Sequence, residues 1–266
     1  MTTSTLTEPF TPRGVAAFAH ASGRRLLLVQ SVVAALAAVS LAWFLNENCF
    51  SVIHTAIQNL PATGKIVYGK LDWHGDSPLL LAEGRFLALD VDPGHSGTIH
   101  STADVQVEFG QSSLRIYSLL GYLEWSYAPA RFAPFNRTDL EPQWGAWADE
   151  ILFIATASML VGLLLSWTAL ATLYFLPAWL LGFFMNRDLG KRASWKLSAA
   201  ALLPGALVMI AGTALYNFGF LGLVALGCFF AAHFIVGWIY LGLSMFFLPR
   251  LSADKPVGNP FNPAKA

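Results

Sequence analysis

His233 is the one Asp, Glu, Lys, Arg or His residue inside a long apolar stretch of this sequence, near the middle of the run from Phe220 to Phe247. An ionisable group at membrane depth is a candidate for function, because leaving it unpaired in hydrocarbon is costly. Ser166 and Thr168 lie at a matching depth in another apolar run and are its candidate hydrogen-bond partners. The alternative is a neutral imidazole bound to a neighbouring helix, since no charged residue at that depth completes a proton relay.

A second group of candidate residues combines carboxylates with imidazoles. Asp90 and Asp92 share one face of a predicted strand, His95 and His100 follow in the next segment, and Asp104 lies on the next predicted strand. Carboxylate oxygens spaced in this way could bind Ca²⁺, and the mixed set could bind zinc. The sequence has no recognisable metal-loop signature, and acidic side chains on the solvent face of a strand are ordinary. We therefore predict no metal and no other cofactor.

Catalytic motifs are missing from the sequence. It contains no HExxH, GxSxG or GxxxxGK[ST] pattern and no dinucleotide fingerprint. Asp149 and Glu150 lie at the start of an apolar helix, where the helix dipole favours carboxylates. Cys49 is predicted beside one membrane span and Cys228 inside another, so a disulfide between them is not expected. The sequence thus leans away from an enzyme.

Long apolar runs must position these residues. The chain has 266 residues, of which 55% are hydrophobic and 12% charged, against about 25% charged in soluble domains. The charge-free run from Ile151 to Met185 is too long for one helix across a hydrocarbon core of about 30 Å. We place a span from Ile151 to about Leu176 and an interfacial stretch from Pro177, because proline removes a helical hydrogen bond.

The predicted fold is an α-helical membrane protein with four transmembrane helices and a small extracytoplasmic antiparallel β domain between the first two. In chain order the segments are a tail (1–23), a helix (24–45), the β domain with a Trp-rich return segment (46–149), a helix with an interfacial stretch (150–185), a basic loop (186–196), two helices (197–217 and 220–248) and a tail (249–266). Predicted interface anchors are Trp43, Trp144, Trp147 and Trp195.

The β domain is predicted from alternation between apolar and polar residues. From Asp104 to Phe109 the alternation places apolar side chains on one face of a strand and acids on the other. Other strand-like runs are Lys65 to Trp73, Pro78 to Ala82, Arg85 to Val91 and Leu114 to Tyr127. Turn-forming Gly, Pro and Asp residues separate them. We predict a domain from about Ala62 to Pro129, preceded by a short helix near Val52 to Asn59.

The charge distribution predicts the orientation. Thirteen of the 16 acidic residues, but only six of the 16 Lys and Arg residues, lie from Glu47 to Glu150. The loop from Arg187 to Lys196 has four cations and one acid, and short cation-rich loops stay in the cytoplasm. We expect both termini in the cytoplasm and residues 46–149 outside it. The cations lie in separate segments and form no basic groove, so no nucleic-acid partner is expected.

The pattern Leu60-Pro61, Ile66-x-x-Gly69-x-Leu71, with an apolar strand leading into Asp92 and a Gly-rich turn, resembles an uncharacterised family of bacterial multi-span membrane proteins. Some members of that family carry the label of maltodextrin-utilisation proteins. The resemblance implies a bacterial cytoplasmic membrane protein with an extracytoplasmic β insert. It transfers no catalytic residue to this chain.

The leading functional hypothesis is a non-enzymatic accessory or interaction protein of the bacterial inner membrane. Its outer β domain would bind a partner protein, an envelope polymer or lipid, and the chain would associate with a protein partner or with copies of itself. One alternative is a membrane-bound enzyme that acts at the outer interface through Asp149, Glu150 or the outer His and Asp residues. Another is an oligomeric small-molecule transporter that uses helix breaks at Pro177 and Pro204.

Overall fold

A computed structural model of the chain describes residues 10–129 and 132–251. These residues form six α-helices and eight β-strands. The helices are α1 (Pro12–Ala17), α2 (Gly23–Leu45), α3 (Ser51–Gln58), α4 (Arg137–Phe184), α5 (Lys191–Asn217) and α6 (Leu223–Ser244), with a π-helical turn at Asn46–Phe50 and a 3₁₀ turn at Met245–Phe247. The strands are β1 (Gly64–Val67), β2 (Lys70–Trp73), β3 (Leu79–Glu83), β4 (Leu87–Val91), β5 (Val105–Phe109), β6 (Ser113–Ser118), β7 (Gly121–Ser126) and β8 (Ala133–Pro134).

Among the described residues, four helical runs are long and apolar enough to cross a membrane, by length and composition. They are Gly23–Gln58, Arg137–Phe184, Lys191–Asn217 and Leu223–Phe247. The described chain divides into two compact units, and each unit takes part of α2, α4, α5 and α6. The first unit holds residues 10–36, 160–210 and 227–251, and the second holds 37–129, 132–159 and 211–226.

The first unit is a helical bundle with a core of small residues from α5. Ala199, Ala200 and Leu203 of this helix are fully or almost fully buried. The N-terminal helix α1 belongs to the same core and is fixed by the last helix, because Ser244 Oγ donates a hydrogen bond to the Pro12 carbonyl at 2.9 Å. Part of the tail predicted at 1–23 is therefore ordered helix, while residues 1–9 lie outside the described residues.

Helix α4 differs from the expected span with an interfacial end. It begins at Arg137, inside the predicted return segment, and continues through Pro177 to Phe184. The interruption expected at Pro177 does not occur, so that expectation is wrong. A single proline removes one backbone donor, and a long apolar helix tolerates the loss. Pro204 also lies inside a continuous helix, α5, which begins within the predicted basic loop.

The β domain, which we define as α3 with β1 to β8, belongs to the second unit. In the described residues it contains a three-stranded sheet in the order β2-β1-β8 and a five-stranded sheet in the order β3-β4-β5-β6-β7. Helix α3 supplies Val52 and Ala56 to a core that also contains Leu81 and Val91. The short helix predicted near Val52 to Asn59 is confirmed, and it continues from α2 through the π-helical turn.

The strand pairing corrects the sequence prediction in two ways. The runs Lys65 to Trp73 and Leu114 to Tyr127 are each a hairpin of two strands. The domain is not purely antiparallel either, because β4 and β5 run parallel, with Asp90 opposite Glu108. The segment 92–104 carries the chain back across the sheet before β5 begins, and a crossover of about a dozen residues is what a parallel pair requires.

Candidate functional site

The β6–β7 hairpin ends in two exposed leucines. Ser118 and Gly121 close the ladder, so Leu119 and Leu120 form the loop between the strands. Gly121 has a φ of +110°, a conformation that a residue with a Cβ rarely adopts. Leu119 is 64% exposed and Leu120 is 97% exposed. Adjoining apolar side chains that protrude in this way indicate an interaction site.

β7 forms one edge of the larger sheet, and no described residue pairs with its outer side. The Tyr127 N–H donates to the Ser112 carbonyl at 3.0 Å and so points towards β6. Backbone groups of successive residues in an antiparallel strand alternate in direction, so those of Tyr122, Glu124 and Ser126 point away from β6. All six residues of β7 are exposed. The strand can therefore accept another strand along its outer side.

The two faces of β7 differ in chemistry. Leu123 and Trp125 share one face and are 59% and 71% exposed. On the other face, Ser113 Oγ donates to Glu124 Oε1 at 2.7 Å, and Arg115 Nε lies 3.5 Å from Glu124 Oε2. The hydrogen bond from Ser113, helped by the Arg115 charge, lowers the pKa of Glu124. The edge thus combines an exposed apolar face with a fixed carboxylate.

A buried polar layer lies in the middle of the same sheet, on β4 and β5. Asp90 has no exposed surface. Its Oδ1 accepts a hydrogen bond from Gln106 Nε2 at 2.9 Å, whereas Oδ2 has no hydrogen-bond partner among the described residues. Burial, together with the negative charges of Glu108 and Asp92, raises the pKa of Asp90 to about 6, although the Gln106 bond opposes the rise.

The crossover segment 92–104 supplies polar contacts to this layer. His95 Nδ1 contacts the carboxylate of the buried Glu108. Asp92 Oδ2 accepts a hydrogen bond from Ser96 Oγ at 2.7 Å and another from the Gly97 N–H at 3.2 Å. Burial raises the pKa of Asp92, but these hydrogen bonds outweigh it, and the pKa is lowered. The layer is thus a network that holds the crossover against the sheet.

The metal candidates from the sequence therefore have different partners. Asp104 accepts a hydrogen bond from the Tyr216 hydroxyl at the end of α5, and His100 is exposed. Asp90, Asp92 and His95 contact Gln106, Ser96 and Glu108 in turn. Within residues 10–129 and 132–251, no group of three or more His, Cys, Asp and Glu side chains is arranged to hold a metal ion.

The residues predicted to lie within the membrane use carbonyl groups of their own helices. His233 Nδ1 contacts the Phe230 carbonyl on α6. Ser166 donates to the Leu163 carbonyl at 2.9 Å, and Thr168 donates to the Leu164 carbonyl at 2.8 Å, both within α4. The hydrogen bonds expected between His233 and these two hydroxyls are therefore replaced by bonds within one helix. A hydroxyl in an apolar helix can donate to the carbonyl one turn back, which satisfies it without a neighbouring helix.

The predicted tryptophan anchors make local contacts. The Trp43 ring lies 5.0 Å from the Phe218 ring, and the Trp144 ring lies 5.1 Å from the Phe50 ring. Trp147 is 61% exposed on α4. Trp195 Nε1 donates to Thr172 Oγ1 at 3.1 Å. Their placement at a membrane interface stays a prediction.

A cleft of about 510 Å³ near the start of α4 is a concave candidate for the enzyme hypothesis. Lys65, Asp72, His74 and Asn136 are among its lining residues. Asn136 is occupied in capping α4, since its Oδ1 accepts from the Asp139 N–H at 2.9 Å. Asp149 and Glu150 are exposed and are not among the residues that line the cleft. Among the described lining residues, His74 Nε2 lies 3.6 Å from Asp72 Oδ1, and Thr138 Oγ1 donates to the Ala62 carbonyl rather than to this pair.

Sequence reasoning missed the hairpin tip and the edge strand. The run from Leu114 to Tyr127 has strand-like residues throughout, so it does not reveal the turn at Leu119-Leu120. The available signal was Gly121 directly after two leucines, because glycine inside a strand pattern marks a bend.

No protein-family model, no curated protein and no solved structure matches this chain. The resemblance to bacterial multi-span membrane proteins stays a prediction.

Proposed function

We propose that this chain is an integral protein of the bacterial inner membrane whose outer β domain binds a partner protein by adding a strand of that partner to β7. The observation that carries the proposal is the outer side of β7, where outward-facing backbone groups adjoin the exposed Leu123 and Trp125. Strand addition uses such an edge, with main-chain hydrogen bonds for affinity and side-chain contacts for specificity.

The surface of the helices supports the membrane part of the proposal. Only 6% of the apolar window of α4 is buried, and the same is true of α6, against 50% for α5. Large side chains such as Phe153, Leu173 and Ile235 are exposed on the outer helices. Exposure of this apolar surface to water would be unfavourable in free energy, whereas contact with lipid tails carries no such cost.

The distribution of charge supports the orientation. Acidic residues concentrate between Glu47 and Glu150, and cations flank the helices at the opposite ends of the spans. By the positive-inside rule, this distribution favours both termini in the cytoplasm and residues 46–149 outside.

Affinity purification from native membranes in mild detergent, followed by mass spectrometry, tests the proposal. The informative variant is Glu124→Pro, because its missing N–H faces outward and takes no part in the β6–β7 ladder. Glu124→Ala is the matched control, since it removes the carboxylate and keeps the N–H. We expect a stoichiometric protein to copurify with the native chain and with Glu124→Ala, and to be lost with Glu124→Pro.

Two results would contradict the proposal. The native chain could purify without any stoichiometric protein, which removes the support for an interaction subunit. Alternatively, Glu124→Pro could retain the partner while keeping the thermal stability of the native chain, which would show that the outer backbone of β7 is not the binding edge.

A further inference from the structure

The tip of the β6–β7 hairpin lies at the end of the sheet that meets the helices of the second compact unit. In the antiparallel ladder of β5 and β6, Val105 at the start of β5 is opposite Ser118 at the end of β6. Asp104 directly precedes Val105, and Leu119 directly follows Ser118. Neighbouring strands are about 4.8 Å apart, so the tip lies at the level of Asp104 and about 5 to 10 Å to its side.

Side chains at this end of the sheet contact the end of α5 and the end of α2. The Tyr216 hydroxyl, in the last turn of α5, donates to the Asp104 carboxylate. Arg85 Nη1 donates to the Tyr216 carbonyl at 3.2 Å. The Phe86 ring lies 5.1 Å from the Phe44 ring of α2. These contacts all belong to one compact unit, and they fix the level of the hairpin tip against the helix ends.

Exposed aromatic residues mark the same level. Phe218 and Phe220, in the turn after α5, are 65% and 75% exposed. The Phe218 ring contacts Trp43 near the end of α2. Aromatic side chains at helix ends are typical of a membrane–water interface. A helix end that reaches the interface therefore brings Leu119 and Leu120 to the same depth.

We infer that the β6–β7 hairpin tip, Leu119 and Leu120, inserts into the outer interface of the lipid bilayer. This inference rests on the proposed membrane-spanning role of the helices. Lipid is the occupant because the tip carries no charge from Ser118 to Leu123 and is level with the helix ends. The outer backbone of β7 at Glu124 and Ser126 remains accessible for a strand, since only the loop and the adjoining start of β7 reach the interface.

Depth-dependent fluorescence tests the insertion on the full chain. In a background of Cys49→Ser and Cys228→Ser, an environment-sensitive NBD label is attached at Leu120→Cys or at Ser112→Cys. Ser112 is exposed and directly precedes the opposite end of β6. Six residues of strand separate it from Ser118, which corresponds to roughly 20 Å. Each protein is reconstituted into phosphatidylcholine vesicles that contain a doxyl-labelled lipid. A parallel sample has no doxyl lipid and contains iodide on both sides of the bilayer.

We expect the label at position 120 to emit at shorter wavelength than the label at 112. The doxyl lipid should quench position 120 at least twofold more strongly, and iodide should quench it at least twofold less. Equal quenching of the two positions by both agents would overturn the inference. The inference would also be overturned if position 120 were shielded from iodide in native membranes but not in vesicles that contain this chain alone, because the occupant would then be another protein.

Alkaline carbonate extraction separates this result from failure of the proposed function. Protein that stays in the vesicle pellet while position 120 is open to iodide contradicts the hairpin insertion alone. Protein that carbonate releases contradicts the membrane-spanning helices, on which both proposals rest. A second variant combines Leu119→Ser with Leu120→Ser and carries the label at Tyr122→Cys or at Ser112→Cys. If the leucines hold the hairpin in the interface, this variant should remove the difference in quenching between the two labels.

Discussion

Arg85 Nη1 donates a hydrogen bond to the backbone carbonyl of Tyr216 at 3.2 Å. The same guanidinium contacts the Leu221 carbonyl, and its Cζ lies 4.8 Å from the centroid of the Tyr216 ring. Carbonyls in the last turn of a helix have no partner within it, and a cation there complements the helix dipole. One side chain between β3 and β4 thus joins the larger sheet to the end of α5.

Replacement of this arginine by alanine, Arg85→Ala, should lower the free energy of unfolding by about 1 kcal/mol, since two carbonyls lose a charged donor at a partly exposed site. Thermal unfolding in detergent measures the change as a decrease in Tm. The matched control is Arg137→Ala, whose exposed pair with Glu141 should contribute about 0.3 to 0.5 kcal/mol. An equal decrease for the two variants would contradict a special role of Arg85.

Asp90 predicts a pH dependence of stability in the β domain. Its folded pKa of about 6 lies above the ordinary 3.8, so the folded state binds a proton more tightly than the unfolded state. Stability from this group is therefore complete below about pH 4 and falls as the pH rises to about 6, by on the order of 3 kcal/mol. The native chain should therefore have a lower Tm at pH 7 than at pH 4.5. The decrease in Tm between these pH values should be smaller for Asp90→Asn.

The comparison between variants isolates this effect from other titrating groups. In Asp90→Asn the amide oxygen still accepts from Gln106, and the charge is gone. Asp76→Asn, at an exposed position, should leave the pH profile of the native chain unchanged. A native profile that runs parallel to that of Asp90→Asn between pH 4.5 and 7 would show that the buried carboxyl does not titrate in this range.

Alanine substitutions at Gly205 and Gly242 should have different effects on stability. A Cβ at Gly205 on α5 would lie 2.3 Å from the His233 carbonyl oxygen on α6, so the two backbones approach too closely for alanine. Gly205→Ala should destabilise the helical unit by about 1 to 3 kcal/mol. At Gly242 a Cβ meets nothing within 4 Å, so Gly242→Ala should be neutral or stabilising, because alanine favours helix over glycine.

Resistance to unfolding in detergent with increasing SDS distinguishes the two glycine variants. A Gly205→Ala protein as stable as Gly242→Ala would contradict the close packing of α5 against α6. This contact also places the His233 backbone carbonyl against α5.

The four long helices could be predicted from the sequence because charge-free apolar runs of this length favour helices, although α4 begins at Arg137, earlier than expected. The error at Pro177 arose from treating proline as a boundary. Whether proline ends a helix depends on what surrounds the freed carbonyl, and this is a property of packing that one sequence does not specify.

The faces of the strands were predictable, but their environment was not. Alternation from Asp104 to Phe109 correctly gives strand β5 with Gln106 and Glu108 on one face. The acidic face was expected to be exposed, yet Asp90 and Glu108 are buried. The crossover segment between parallel strands covers that face, and parallel pairing depends on contacts far apart in sequence.

The residue types of the candidate site are known from the sequence, but their exposure is not. Apolar residues at Leu119, Leu120, Leu123 and Trp125 are plain in the sequence, and a strand pattern predicts that half of them are buried. Leu119 and Leu120 are exposed because they form the hairpin loop, whereas Leu123 and Trp125 lie on the last strand of the sheet, beyond which no described strand lies. Edge position is a result of topology, which local periodicity does not encode.

The most direct test of the account is the labelling of single cysteines in spheroplasts with a membrane-impermeant maleimide. The positions are Ser112→Cys in the β domain and Asp188→Cys in the basic segment, both exposed, with Cys49 and Cys228 replaced by serine. We predict that Ser112→Cys is labelled in spheroplasts and that Asp188→Cys is labelled only after the membrane is permeabilised. Labelling of both positions before permeabilisation, or of Asp188→Cys alone, would contradict the proposed membrane protein with an outer β domain.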